Sequence, residues 1–178
     1  ALITAILGNK ILFYGLMIAE VCLVLGVSAG INKLSLSTAT LLFVLYSVIN
    51  GATLSVLLLV FTMASIAKVF FITAGTFGAM SLIGYTTKTD LTSMGKILMM
   101  ALVGLIIASV VNMFLGSAGL DYIMSYVGVL IFVGLTAYDT QKIKNLFIGS
   151  GVSGEAGQKI ALLGALTLYL DFINLFIY

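Results

Sequence analysis

Residues 166–176, "LTLYLDFINLF", set one aspartate, Asp171, in the middle of an otherwise apolar run. A carboxylate at the centre of a membrane helix costs roughly 2.5–3.5 kcal/mol on insertion scales, so it is tolerated only facing protein or water. Working outward, Gly164, Thr167, Asp171, Asn174 and Tyr178 recur at spacings of 3, 4, 3 and 4. That is one face of a helix. The opposite positions are Leu, Ile or Phe. The stretch therefore predicts a spanning helix whose narrow polar stripe turns toward the interior of a bundle or a water-filled path.

Composition supports the same setting. The 178 residues are 62% hydrophobic and 8% charged, with no proline, and the mean hydropathy is +1.28. A soluble domain of this size needs far more polar surface. The expected fold class is all-α, a polytopic membrane helix bundle. Six segments reach the roughly 20 apolar residues a span requires, at about 11–31, 38–62, 66–85, 97–117, 122–140 and 160–178. The opening "ALITAIL", residues 1–7, reads as the end of a truncated first helix, so seven helices are expected in the full protein. Neither an internal repeat nor strand alternation is visible, and residues 1–178 are expected to form a single bundle. The Gly and Ser content of 141–159, "QKIKNLFIGSGVSGEAGQK", marks a loop following a helical extension through Ile148.

With alternating segments, Lys33, Lys88, Lys96, Lys142, Lys144 and Lys159 fall on one side, and Lys10 and Lys68 on the other. The positive-inside bias then makes 141–159 cytosolic. Histidine is absent, which removes the commonest transition-metal ligand and proton shuttle and any Ser-His-Asp set. Cys22 is the single cysteine, the net charge is only +2, and there is no glycine-rich phosphate loop. No resident cofactor, nucleic-acid partner or enzymatic activity is expected. Gly15, Ala19, Cys22, Gly26 and Gly30, and the run "TAGTFGAMS" (73–81), read as small-residue packing faces.

Three acids remain for chemistry. Glu20 lies deep in the first segment, and pairing with an amide such as Asn50 would give it a purely structural reading. Asn112 adds a further amide. Asp139, in "GLTAYDTQKIK" (134–144), lies near a segment end beside lysines, an ordinary interfacial position by itself. If Asp139 and Asp171 meet, both cannot ionise cheaply and the pair shares a proton. Such a pair is a pH-sensitive latch and, deprotonated, a source of hard oxygen ligands for Ca²⁺. Contact requires the 122–140 helix to continue into "QKIKNLFI", or the last helix to start late.

"GLTAYDTQKIK" followed by "LTLYLDFINLF" resembles the two C-terminal signatures of the transmembrane Bax inhibitor motif family. "INKLSLSTATLLFVLYSVINGATLS" (31–55) and "FFITAGTFGAMSLIGYTTKTDLTSMG" (70–95) are similar to its bacterial branch. The resemblance implies a seven-helix bundle enclosing its last helix, and a Ca²⁺ leak governed by pH through an aspartate pair. By matching motif, that pair is Asp139 and Asp171, which would also offer the Ca²⁺ ligands. Glu20, in "GLMIAEVCLVLG" (15–26), matches the family's acid in its second helix, with Asn50 and Asn174 as further polar groups for an ion path. The implied partners are the lipid bilayer, Ca²⁺ and protons, and the implied location is a bacterial cytoplasmic membrane. Some bacterial relatives carry an arginine near the cytosolic end of that helix. Here Lys33 is the nearest cation, and lysine cannot make arginine's planar two-pronged contact. The other readings are a proton-coupled transporter, a non-conducting interaction protein and, more distantly, an intramembrane aspartyl protease.

Overall fold

A computed structural model describes residues 10–31, 33–151 and 154–178. Among them the chain is helical, without strands: α1 Lys10–Gly30, α2 Leu36–Leu54, α3 Leu57–Val60, α4 Met63–Thr86, α5 Thr92–Leu115, α6 Ala118–Ser150 and α7 Glu155–Ile177. Hydrocarbon offers the backbone no partners, so each segment must satisfy its own N–H and C=O groups, and the helix does this locally. Short side chains close the ends. Ser35 Oγ accepts the Thr38 amide at 3.1 Å, and Ser117 Oγ accepts the Leu120 amide at 3.4 Å. Gly116 (φ 61°) and Gly151 (φ 55°) end α5 and α6 in the left-handed conformation that glycine adopts without steric cost.

Five stretches are long and apolar enough to cross a membrane: Leu36–Val60, Met63–Thr86, Thr92–Leu115, Ala118–Gly149 and Glu155–Ile177. The expected first segment, 11–31, coincides with α1 at 21 residues. The chain is thus a polytopic membrane helix bundle of all-α class. The expected helix end at 1–7 lies outside the described residues. One boundary is corrected. Most of 141–159 is helix, with α6 running to Ser150 and α7 starting at Glu155. Gly149 is accommodated within α6, and the chain turns only where Gly151 and Gly154 take positive φ. At 33 residues, α6 is about 50 Å long at 1.5 Å per residue, against roughly 30 Å of hydrocarbon.

The second span is interrupted between α2 and α3, without proline. Thr53 Oγ1 donates to the Ile49 carbonyl at 3.1 Å, and Ser55 Oγ to the Ala52 carbonyl at 2.6 Å. Hydroxyls that bond back to carbonyls one turn earlier compete with the helix ladder and bend it.

Two compact units emerge, one of Ala1–Lys68 with Val152–Leu163, the other of Val69–Gly151 with Gly164–Tyr178. In the first, α1 packs on α2, and Val27, Ala39 and Tyr46 are buried. In the second, α5 packs on α6 around Leu105, Met124, Ile131, Phe132, Leu135 and Leu175. Phe172 meets Phe70 and Phe77 edge-on, at 5.8 and 5.4 Å between ring centroids. Large apolar side chains such as Phe71, Phe114 and Leu130 point outward, as lipid-facing residues do.

Close helix approach is made at glycines other than those the sequence pattern singles out. A Cβ built at Gly15, Gly26, Gly75 or Gly78 meets no described residue within 4 Å. One built at Gly84 would strike the Ala137 carbonyl, at Gly95 the Tyr138 ring, at Gly134 Leu98, and at Gly128 the Tyr178 ring. Gly84→Ala therefore forces backbone apart from backbone, and is expected to cost on the order of 1–3 kcal/mol, as overpacking does. Gly75→Ala should change stability by no more than about 0.5 kcal/mol. Thermal unfolding in detergent, followed by fluorescence-detected size exclusion, compares the two variants directly.

Candidate functional site

Asp139 and Asp171 are brought together in the second unit by α6 and α7. Gly164 faces Ile143, while Tyr178 stacks on Phe132 at 5.9 Å and covers Gly128. These contacts run the helices antiparallel and put residue 171 about level with 136, roughly one 5.4 Å turn from Asp139. The continuation of α6 past residue 140 supplies the depth that a meeting requires. Asp139 is 8% exposed and Asp171 5%, so both carboxyls lie away from solvent. The charge of Asp139 acts on Asp171, and Lys142, nearly one turn on, acts on Asp139. Asp171 Oδ2 is buried without a hydrogen-bond partner among the described residues. An orphaned buried acceptor is costly and rare enough to call for an account.

The polar stripe of α7 is oriented as its spacing predicts. Gly164 and Tyr178 at its ends touch α6, and Asp171 between them is buried. Asn174 lies on the same stripe, but its Nδ2 donates at 2.8 Å to the Leu170 carbonyl of its own helix. Among the described residues no three His, Cys, Asp or Glu side chains cluster as a metal-binding group. The two aspartates supply at most four carboxylate oxygens toward the six to eight that Ca²⁺ ordinarily takes.

Glu20 belongs to the first unit and is satisfied at both oxygens. Asn50 Nδ2 donates to Oε2 at 3.1 Å, and Thr53 Oγ1 donates to Oε1 at 2.6 Å. Asn50 itself is buried. The pairing is the one that gives Glu20 a structural reading, and it ties α1 to α2 one turn before the interruption. Asp121 is likewise satisfied: Asn112 Nδ2 donates to its Oδ1, while Asn112 Oδ1 accepts the Ser117 amide at 3.0 Å. This knot fixes the turn between α5 and α6.

Gln141 closes the other end of the second unit. Its Oε1 accepts the Leu91 amide at 2.9 Å, and its Nε2 donates to the Thr89 carbonyl at 2.7 Å. The loop between α4 and α5 is thereby pinned to α6 two residues beyond Asp139. Within that loop Asp90 is exposed. Hydrogen bonds from Thr92, with a smaller effect from the Lys96 charge, hold its carboxyl below the usual carboxylate range. That contribution is present above the ordinary aspartate range and is lost as pH falls through the lowered value.

The family model described as "Inhibitor of apoptosis-promoting Bax1" matches residues 1–178. The chain belongs to the Bax inhibitor-1 family. Among curated relatives of this Bax inhibitor-1 family chain is the inner membrane protein YbhL of Escherichia coli K12, 51% identical over 99% of this chain and 76% of its own length. A Borreliella burgdorferi protein is 49% identical over 97% of this chain and 75% of its own. A membrane protein of Streptococcus pyogenes serotype M6 is 39% identical over 99% and 76%. The Bax inhibitor resemblance read from 134–144 and 166–176 thus holds for the family as a whole.

Sequence reasoning about this Bax inhibitor-1 family chain missed Thr53 and Gln141. Thr53 follows Asn50 by three residues, the spacing of one helix face, so it was findable once Asn50 was paired with Glu20. Gln141 has no such signal, because its partners lie 50 and 52 residues away.

Two outcomes are expected for these polar nodes. Asn50→Leu leaves Glu20 short of a donor and should cost about 1–3 kcal/mol, whereas pairing it with Glu20→Met should recover most of the loss. Thermal unfolding of the single and double variants tests this, and a double variant as weak as the single would argue against a structural pair. Gln141→Leu should speed hydrogen exchange at the Leu91 amide without changing exchange at the Asn112–Ser117 turn.

Proposed function

We propose that this protein is a passive, pH-modulated cation leak, with Ca²⁺ as the permeant ion and Asp139 and Asp171 as its latch. It would operate in the cytoplasmic membrane of a bacterium, with the lysine-rich end of the second unit in the cytosol. The observation that carries the reading is the pair of buried carboxyls on α6 and α7, mutually coupled, with Asp171 Oδ2 unpartnered. Two like charges this close in a poorly polarisable setting cannot both form without repulsion. Sharing one proton, the pair holds α7 against α6 and the path is closed. As pH rises and the shared proton leaves, repulsion loosens the contact, and the carboxylate oxygens become available to Ca²⁺. Glu20 with its donors is a separate polar node of the first unit, and Glu20→Gln in the same assay tests its part in ion passage.

A second reading, proton-coupled exchange, draws support from the interrupted second span, since transporters place ion sites at discontinuous helices. The decisive experiment is Ca²⁺ flux from dye-loaded liposomes over a pH series, comparing wild type with Asp171→Asn. The leak should rise with pH in the wild type. In the variant, which keeps the shape but cannot acquire the second charge, it should be flat with pH. No flux at any pH from folded protein would sink the channel reading, and flux that requires a proton gradient would favour exchange.

A further inference from the structure

On the lysine-rich end of the second unit, α4, α6 and α7 leave a groove of about 330 Å³, lined by apolar atoms of Tyr85, Ile143, Phe147 and Leu168 together with Thr140 and Lys144. Lys144 stands at its rim. The ammonium donates to the Tyr85 carbonyl at 2.6 Å and lies 5.4 Å from the centre of the Tyr85 ring. An ammonium has three donors, and these contacts orient the group without neutralising it. The one salt bridge described in the chain is Lys159 with Glu155, so Lys144 has no carboxylate partner among the described residues. A second polar group lines the groove: Thr140 Oγ1 is buried and has no hydrogen-bond partner.

Depth narrows what the groove could hold. From Ala118, the start of α6, Lys144 is 26 residue steps on, about 39 Å along the axis. That exceeds the roughly 30 Å hydrocarbon core and reaches the headgroup region. Lys88, Lys96, Lys142 and Lys144 belong to this end, against the exposed Asp90. An occupant must therefore be amphipathic, anionic at the lysine and apolar along Ile143, Phe147 and Leu168.

We propose that this groove binds an anionic phospholipid, with its phosphate held by Lys144, a glycerol or ester oxygen accepting from Thr140, and an acyl chain laid along the apolar wall. The site is independent of the latch at Asp139 and Asp171, and its occupancy is read without ion flux. Purified full-length protein is titrated in detergent with dioleoyl-phosphatidylglycerol or dioleoyl-phosphatidylcholine, and retained lipid is counted by native mass spectrometry. Phosphatidylglycerol should be retained about five-fold better, the ratio expected of one lysine facing an anionic lipid. Lys144→Gln, which keeps a donor for the Tyr85 carbonyl and so guards against misfolding, should reduce that ratio to about one. Lys144→Arg should preserve it, and so should Lys142→Gln. Equal retention of the two lipids overturns the proposal, as does an unchanged preference in Lys144→Gln. Loss of preference in Lys142→Gln as well would mean diffuse surface charge and no site. Displacement of the lipid by glycerol 3-phosphate alone would assign the lysine to a free phosphate.

Discussion

The second unit depends on close approach to α6. Lipid tails are as apolar as leucine, so helices in a bilayer gain nothing by hiding hydrophobic surface from one another. They associate through van der Waals packing and hydrogen bonds. Gly84, Gly95 and Gly164 let neighbouring helices reach α6, while Gly128 and Gly134 open α6 itself to Tyr178 and Leu98. Removing the Cβ at these points brings helix surfaces together at distances no other residue allows. Everything polar that the unit buries is positioned by those contacts, including the depth at which Asp171 meets α6.

The intramembrane acids differ in how they are satisfied. Glu20 accepts two donors from α2, and Asp121 is held by Asn112. Each therefore stands as a plausible tie between successive helices. Asp171 keeps a buried oxygen without a donor and has another carboxyl as its neighbour. A helix bundle that needed only adhesion would supply an amide there, as it does for the other two. The unsatisfied group is the one whose charge state can change the packing, which is why the functional proposal rests on it and not on Glu20.

The length of α6 joins the latch to the membrane surface. Asp139, Gln141 and Lys144 follow one another along a single uninterrupted helix. Gln141 ties the loop between α4 and α5 to that helix, and Lys144 fastens to the end of α4 through the Tyr85 carbonyl. The region around Asp139 is accordingly braced from the lysine-rich side by two side chains less than two turns away. A lipid phosphate at Lys144 would act on the same brace, since the ammonium that meets it also holds Tyr85.

The sequence by itself determined the class of fold, the number and rough limits of the spans, the family, and the polar stripe on α7. All of these follow from local quantities: apolar run length, helical spacing, and motifs within a dozen residues. It also anticipated the pairing of Glu20 with Asn50, because few amides lie deep enough to choose among. Tertiary structure decided the rest. Which glycines bear contacts depends on the facing helix, so Gly26 and Gly75 looked as suitable as Gly84 and Gly134. The helical course of residues 141–150 was obscured by glycine and serine content, although Gly149 sits within the helix and only Gly151 and Gly154 need positive φ. The meeting of Asp139 with Asp171 rests on that same extension. Depth in a bundle is set by where neighbouring helices lock together, and no spacing within one helix records it.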